Sequence, residues 1–162
     1  MSTGAAPLRS IRRIVAFFIA ALVLSGLTAF PLQTEMDILI AARGASVFSA
    51  AAGSLEAWLL TVRNGLGVVY RDYPWVGYGT DWLAFAHLAI AVFFIGAWRD
   101  PVRNVWVLQA GLIACLGVIP LALLCGPIRG IPFYWRLIDC SFGVFGFLTL
   151  WLALRLVRRL EK

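Results

Sequence analysis

His87, Arg136 and Asp139 are ionisable residues set inside apolar runs, His87 within 82–98 and the other two within 135–154. A charge at bilayer depth is costly, so such a residue usually faces the bundle interior and has a partner or a function. Arg136 and Asp139 stand three residues apart and can pair along one helix face. They can instead anchor a ligand headgroup, because the planar guanidinium fork matches a carboxylate or phosphate with two parallel bonds. The imidazole of His87 can carry a proton or serve as a neutral hydrogen-bonding core residue, and the second reading is favoured. Glu35 and Asp37 close the first apolar run. Paired acids can do acid–base work, although a solvated pair at the interface is the commoner case. Trp135 and Phe133 stand where they would line the mouth of a pocket built around Arg136. The candidate ligand-binding set is therefore His87, Arg136, Asp139, Glu35, Asp37 and Trp135.

Other chemistry lacks its signatures. The chain contains no GxSxG, no HExxH and no glycine-rich phosphate loop. Ser141 and the cysteines have no adjacent histidine. His87 is the sole histidine, so one chain cannot supply a bis-histidine haem site. No His, Cys, Asp or Glu spacing suggests a metal, and no cofactor or catalytic residue is assigned. Cys115, Cys125 and Cys140 read as buried thiols rather than redox centres, with a Cys125–Cys140 disulfide as the less favoured alternative.

The elements that must position these residues follow from composition. The chain has 162 residues, 62% of them hydrophobic, with a mean hydropathy of +0.89. Soluble domains are about 45–50% apolar, so this is a membrane composition. The length suits one integral membrane domain over 1–162. The net charge of +6 does not point to nucleic acid, because the arginines cluster at the ends of apolar runs, as orientation signals do.

A helical span takes about 20 mostly apolar residues. Four segments qualify, at 14–33, 81–98, 104–126 and 133–154. The first also has the basic start and apolar centre of a signal peptide, but it lacks a convincing small-x-small cleavage site after that centre and reads as a retained anchor. Four crossings put both termini on one side. That side carries nine basic and two acidic residues, a balance of +7, against five basic and six acidic residues on the other, a balance of −1. The basic side should be cytoplasmic, as in a bacterial inner-membrane protein with both termini inside.

Between the first two spans, a segment over about 44–70 repeats Phe48, Ala51, Leu55, Trp58, Leu59, Val62, Leu66 and Val69 at three- and four-residue spacing. This is an amphipathic helix pattern, with Gly53 as a break between two pieces. It should lie on the outer membrane surface or cap the bundle. Tyr70, Tyr73, Trp75 and Tyr78 then read as an interfacial aromatic belt. The stretch 125–133, with Gly126, Pro127, Gly130 and Pro132, reads as a stiff non-helical turn.

Helical periodicity places Ala84, His87 and Ala91 on one face of the second span. It places Gly111, Cys115, Val118, Ala122 and Cys125 on one face of the third, and Arg136, Asp139, Gly143, Gly146 and Leu150 on one face of the fourth. Small residues mark close helix contacts in membranes. His87 and Asp139 each lie six residues, about 9 Å, inside the outer boundary, so they can share one layer.

The expected fold is all-α, a four-transmembrane-helix bundle with an amphipathic external helical segment. The leading functional expectation is a protein that binds a membrane lipid or other amphipathic small molecule in an outer-leaflet polar pocket. One alternative is an accessory subunit of a larger membrane complex, or a homo-oligomer, docking through Gly143 and Gly146. Another is a small membrane enzyme with His87 and Asp139 as acid and base.

Overall fold

The computed structural model describes the backbone of residues 5–43 and 50–160 and the side chains of 7–42 and 53–160. All regular structure among the described residues is helical: α1 (Ala5–Ala29), α2 (Leu32–Arg43), α3 (Ala50–Asp72), α4 (Pro74–Arg99), α5 (Val105–Ile128) and α6 (Phe133–Leu160). Helices α1, α4, α5 and α6 are long and apolar enough to cross a membrane. Thus the all-α class, the four spans and the helical segment between the first two agree with the sequence. By contact, the chain forms two compact units, Met1–Leu22 with Ile90–Lys162, and Val23–Ala89.

The first unit is a four-helix bundle. Its core draws Ile11 and Val15 from α1, Phe94 and Ala97 from α4, Leu108 from α5, and Leu150, Ala153 and Val157 from α6. The Phe18 and Phe94 rings pack beside it, tilted at 49° with centroids 4.8 Å apart. No described polar or charged residue is fully buried. The outward faces are equally apolar, with Phe93, Trp106 and Phe145 exposed. That is the surface a helix shows to acyl chains, where tight packing rather than hydrophobic expulsion holds helices together.

The turn between α4 and α5 is closed by polar groups. The Asn104 side-chain amide donates to the Gly96 and Asp100 carbonyls at 3.1 and 2.9 Å. The Asp100 carboxylate accepts the Arg103 backbone N–H at 3.1 Å. From α1, the Arg12 guanidinium donates to the Arg99 carbonyl at 2.9 Å. A cation there satisfies an orphan carbonyl and sits favourably at the negative end of α4.

Helices α5 and α6 pack antiparallel along the small-residue faces that the periodicity picks out. A Cβ added at Gly111 would lie 2.6 Å from Leu150, one at Gly146 2.8 Å from the Cys115 Sγ, and one at Gly143 2.6 Å from the Cys115 carbonyl oxygen. The docking role expected for Gly143 and Gly146 is thereby corrected: both are occupied by α5 within this chain. The turn expected over 125–133 is also shorter, because α5 runs through Pro127 to Ile128. A Schellman-type closure ends it: Ile131 N–H donates to the Gly126 carbonyl and Gly130 N–H to the Pro127 carbonyl, with Gly130 at φ 70°. The proline is tolerated near the end of a helix that stops within one turn.

In the second unit the external segment departs from expectation. Its N-terminal part, residues 44–49 with Phe48, lies outside the described residues. The remainder is one continuous helix, α3, and Gly53 lies inside it with open space around it. The helical face is as read: Leu59 is buried, Leu55, Trp58, Val62, Leu66 and Val69 are half-buried, and Glu56, Arg63 and Asn64 are exposed. A second helix precedes it. The first span ends at Ala29, after which Pro31 supplies the carbonyl that Glu35 N–H bonds at 3.0 Å as α2 begins. Glu35 and Asp37 therefore belong to α2 and do not end the first span. Helices α2 and α3 pair, with the Arg63 guanidinium bonded to the Asp37 carboxylate. Helix α4 begins at Pro74, seven residues before the expected span, so Trp75 and Tyr78 are helical. Close approach inside this unit occurs at Gly26, where a Cβ would lie 2.9 Å from the Ala84 carbonyl oxygen.

Candidate functional site

Arg136 stands in the first turn of α6, next to the α5–α6 turn. Its aliphatic stem lies against Gly126 of α5, where any Cβ would overlap it. Its guanidinium lies over the Phe133 ring, 5.1 Å from the centroid. Side chains on a helix lean toward its N-terminus, and this one reaches back over residue 133 rather than forward to residue 139. The Arg136–Asp139 ion pair that the spacing allows does not form. Ion pairs among the described residues are Asp37–Arg63, Arg71–Asp72 and Asp100–Arg103. An arginine placed N-terminal to its acid is also the less favourable order on a helix.

The guanidinium is thus left with unfilled capacity. The Arg136 Nε–H is buried with no hydrogen-bond acceptor among the described residues, in a group that presents five donors and no acceptor. The positive end of the α6 dipole lies at the same turn, so the protein itself disfavours a cation there. Both features favour an anion. Asp139 is half-buried one turn further along α6, and the α5–α6 register brings Ala122 to its level. Trp135 is half-buried in the same first turn.

The remaining candidates belong to the other unit. His87 is half-buried and bonds the Leu83 carbonyl at 2.9 Å through Nδ1. A carbonyl only accepts, so Nδ1 carries the proton in this bond. Ala84 and Ala91, on the same face as His87, are buried. Asp37 is bonded to Arg63, and Glu35 is half-buried on α2. Arg136, Asp139 and Trp135 therefore share the start of α6, while Glu35 and Asp37 share α2.

A groove of about 310 Å³ lies in this second unit, lined by Phe30, Tyr78, Asp81, Trp82 and Phe85. None of the residues singled out as candidates lines it. The spacing 78, 81, 82, 85 is a helical stripe, but three aromatics beside one acid at a span end read equally as an interfacial belt. Among the described residues no three of His, Cys, Asp and Glu converge as a metal site. Cys115, Cys125 and Cys140 are free thiols. Comparison with known protein families, characterised proteins and solved structures finds no match.

Proposed function

We propose that this chain is an integral membrane protein that binds an anionic amphiphile, with the phosphate or carboxylate of its headgroup held by Arg136. The single observation that supports this is the buried Nε–H of Arg136 with no acceptor among the described residues. An orphaned donor on a charged group is expensive to leave unmade, and a headgroup oxygen would complete it. Phe133 supplies an apolar and π surface beneath the same cation. Asp139, one turn along, would accept hydroxyl hydrogens from a polyol headgroup. The excess of arginine at the termini and the 99–103 turn favours a cytoplasmic place for those regions, and on that reading Arg136 would lie in the outer leaflet of a bacterial inner membrane.

Retention of phosphatidylglycerol during detergent purification tests this reading, with phosphatidylcholine as the neutral control. The wild-type chain should retain phosphatidylglycerol selectively. Arg136→Gln should lose about tenfold of that retention, since a hydrogen bond to a charged group is worth roughly 1.5–3 kcal/mol. Arg136→Lys should fall between, because it keeps the charge and loses the fork. Equal retention by wild type and Arg136→Gln would overturn the proposal.

A further inference from the structure

The groove in the second unit has a composition opposite to the Arg136 site. Its lining holds one carboxylate, Asp81, and four aromatic rings. The rings are not stacked flat. Tyr78 and Trp82 meet edge to face, with centroids 6.0 Å apart and planes at 82°. Trp82 and Phe85 do the same at 6.0 Å and 89°. The face of an aromatic ring attracts a cation within about 6 Å of its centroid, and four rings line this groove. Phe30, from the turn after α1, adds a fourth ring.

Asp81 is half-buried and forms no ion pair or hydrogen bond with another described residue. The charged residue nearest it in sequence is Asp72, which is paired with Arg71. Among the described residues no basic side chain forms an ion pair with the Asp81 carboxylate. A volume of about 310 Å³ is at the lower end of small-ligand sites and fits a headgroup rather than a whole lipid. The apolar walls and the open side suit an attached alkyl chain.

We propose that Tyr78, Asp81, Trp82, Phe85 and Phe30 form a binding site for the ammonium group of a cationic or zwitterionic amphiphile. The carboxylate supplies the counter-charge, and the ring faces supply cation–π contact to the N–H or N-methyl groups. The ammonium can come from an aminophospholipid of the bilayer or from a free alkylammonium amphiphile. The site does not depend on the Arg136 proposal.

Native mass spectrometry of the full-length chain separates these cases. The protein is released from detergent after incubation with equimolar phosphatidylethanolamine and phosphatidylglycerol, or with dodecyltrimethylammonium. The wild-type chain should hold a phosphatidylethanolamine adduct that dodecyltrimethylammonium displaces and dodecyl maltoside does not. Asp81→Asn and Trp82→Leu should each weaken the adduct about tenfold. Asp81→Glu should restore it, which guards against a simple folding defect. Arg136→Gln should leave it intact, so the two proposals fail separately. An adduct with dodecyltrimethylammonium alone assigns the site to free alkylammonium compounds. If both variants bind phosphatidylethanolamine and dodecyltrimethylammonium as the wild type does, or if the wild type binds neither, the ammonium site does not exist.

Discussion

A methyl group on Gly143 would meet the backbone carbonyl of Cys115, whereas one on Gly146 would meet the Cys115 thiol. The difference decides the outcome of substitution. A carbonyl in a helix cannot yield without moving α5, but a thiol can rotate. Gly143→Ala should therefore destabilise the chain by about 1–3 kcal/mol, the range for overpacked cores. Gly146→Ala should be milder, and adding Cys115→Ala should relieve it. Thermal unfolding in detergent reads all three, and equal losses at the two glycines would contradict the packing described here. His87 is a different case. Its bond to Leu83 lies within its own helix turn, so His87→Leu removes one local hydrogen bond. The expected loss is no more than about 1.5 kcal/mol in the same assay.

At the scale of elements, polar side chains set how helices begin, end and pair. Asn104 satisfies two carbonyls at the end of α4 with one amide. Each of those carbonyls also accepts a backbone N–H, Gly96 from Asp100 at 2.9 Å and Asp100 from Asn104 at 3.1 Å, so Asn104→Ala removes only the second bond to each, and about 0.5–1.5 kcal/mol of stability should be lost. Asn104→Asp should fare no better, because a carboxylate cannot donate to a carbonyl. The Asp37–Arg63 pair that joins α2 to α3 is exposed on both sides. A double-mutant cycle on Asp37→Asn and Arg63→Gln should give a coupling below about 1 kcal/mol, smaller still in high salt. A larger coupling would mean that the hairpin lies in a less polar medium than water.

For the molecule as a whole, the charge distribution is the main source of expectation about orientation. With the native cysteines replaced, a single cysteine at Arg103 should resist a membrane-impermeant maleimide in intact cells. One at Glu56 should react. The reverse pattern would invert the orientation and move the proposed Arg136 headgroup site to the inner leaflet. The four-helix core of the first unit has no fully buried polar residue among those described. Substituting Leu108 by Ala should therefore lower stability by roughly 2–5 kcal/mol, without altering lipid selectivity if binding resides at the helix ends. A change in phosphatidylglycerol retention by that variant would show that the core and the proposed site are coupled.

Apolar run length determined the four spans, and helical period the small-residue faces of α5 and α6 and the apolar stripe of α3, because each depends on composition or spacing along one helix. The same spacing puts Gly111, Cys115 and Val118 on one face and Gly143 and Gly146 on another, but that these two faces meet is decided by the tertiary structure. Helix α2 was hidden because Leu32–Arg43 mixes apolar and charged residues around its circumference, and only docking on α3 gives it a buried side. The fate of Arg136 was equally hidden. Sequence spacing offers Asp139 as a partner, but the choice of Phe133 and Gly126 depends on which way the side chain leans and on an opposite helix with no Cβ in its path. The groove around Asp81 required tertiary structure for the same reason: Phe30 comes from another helix end, and the right angles between rings are not written in their spacing.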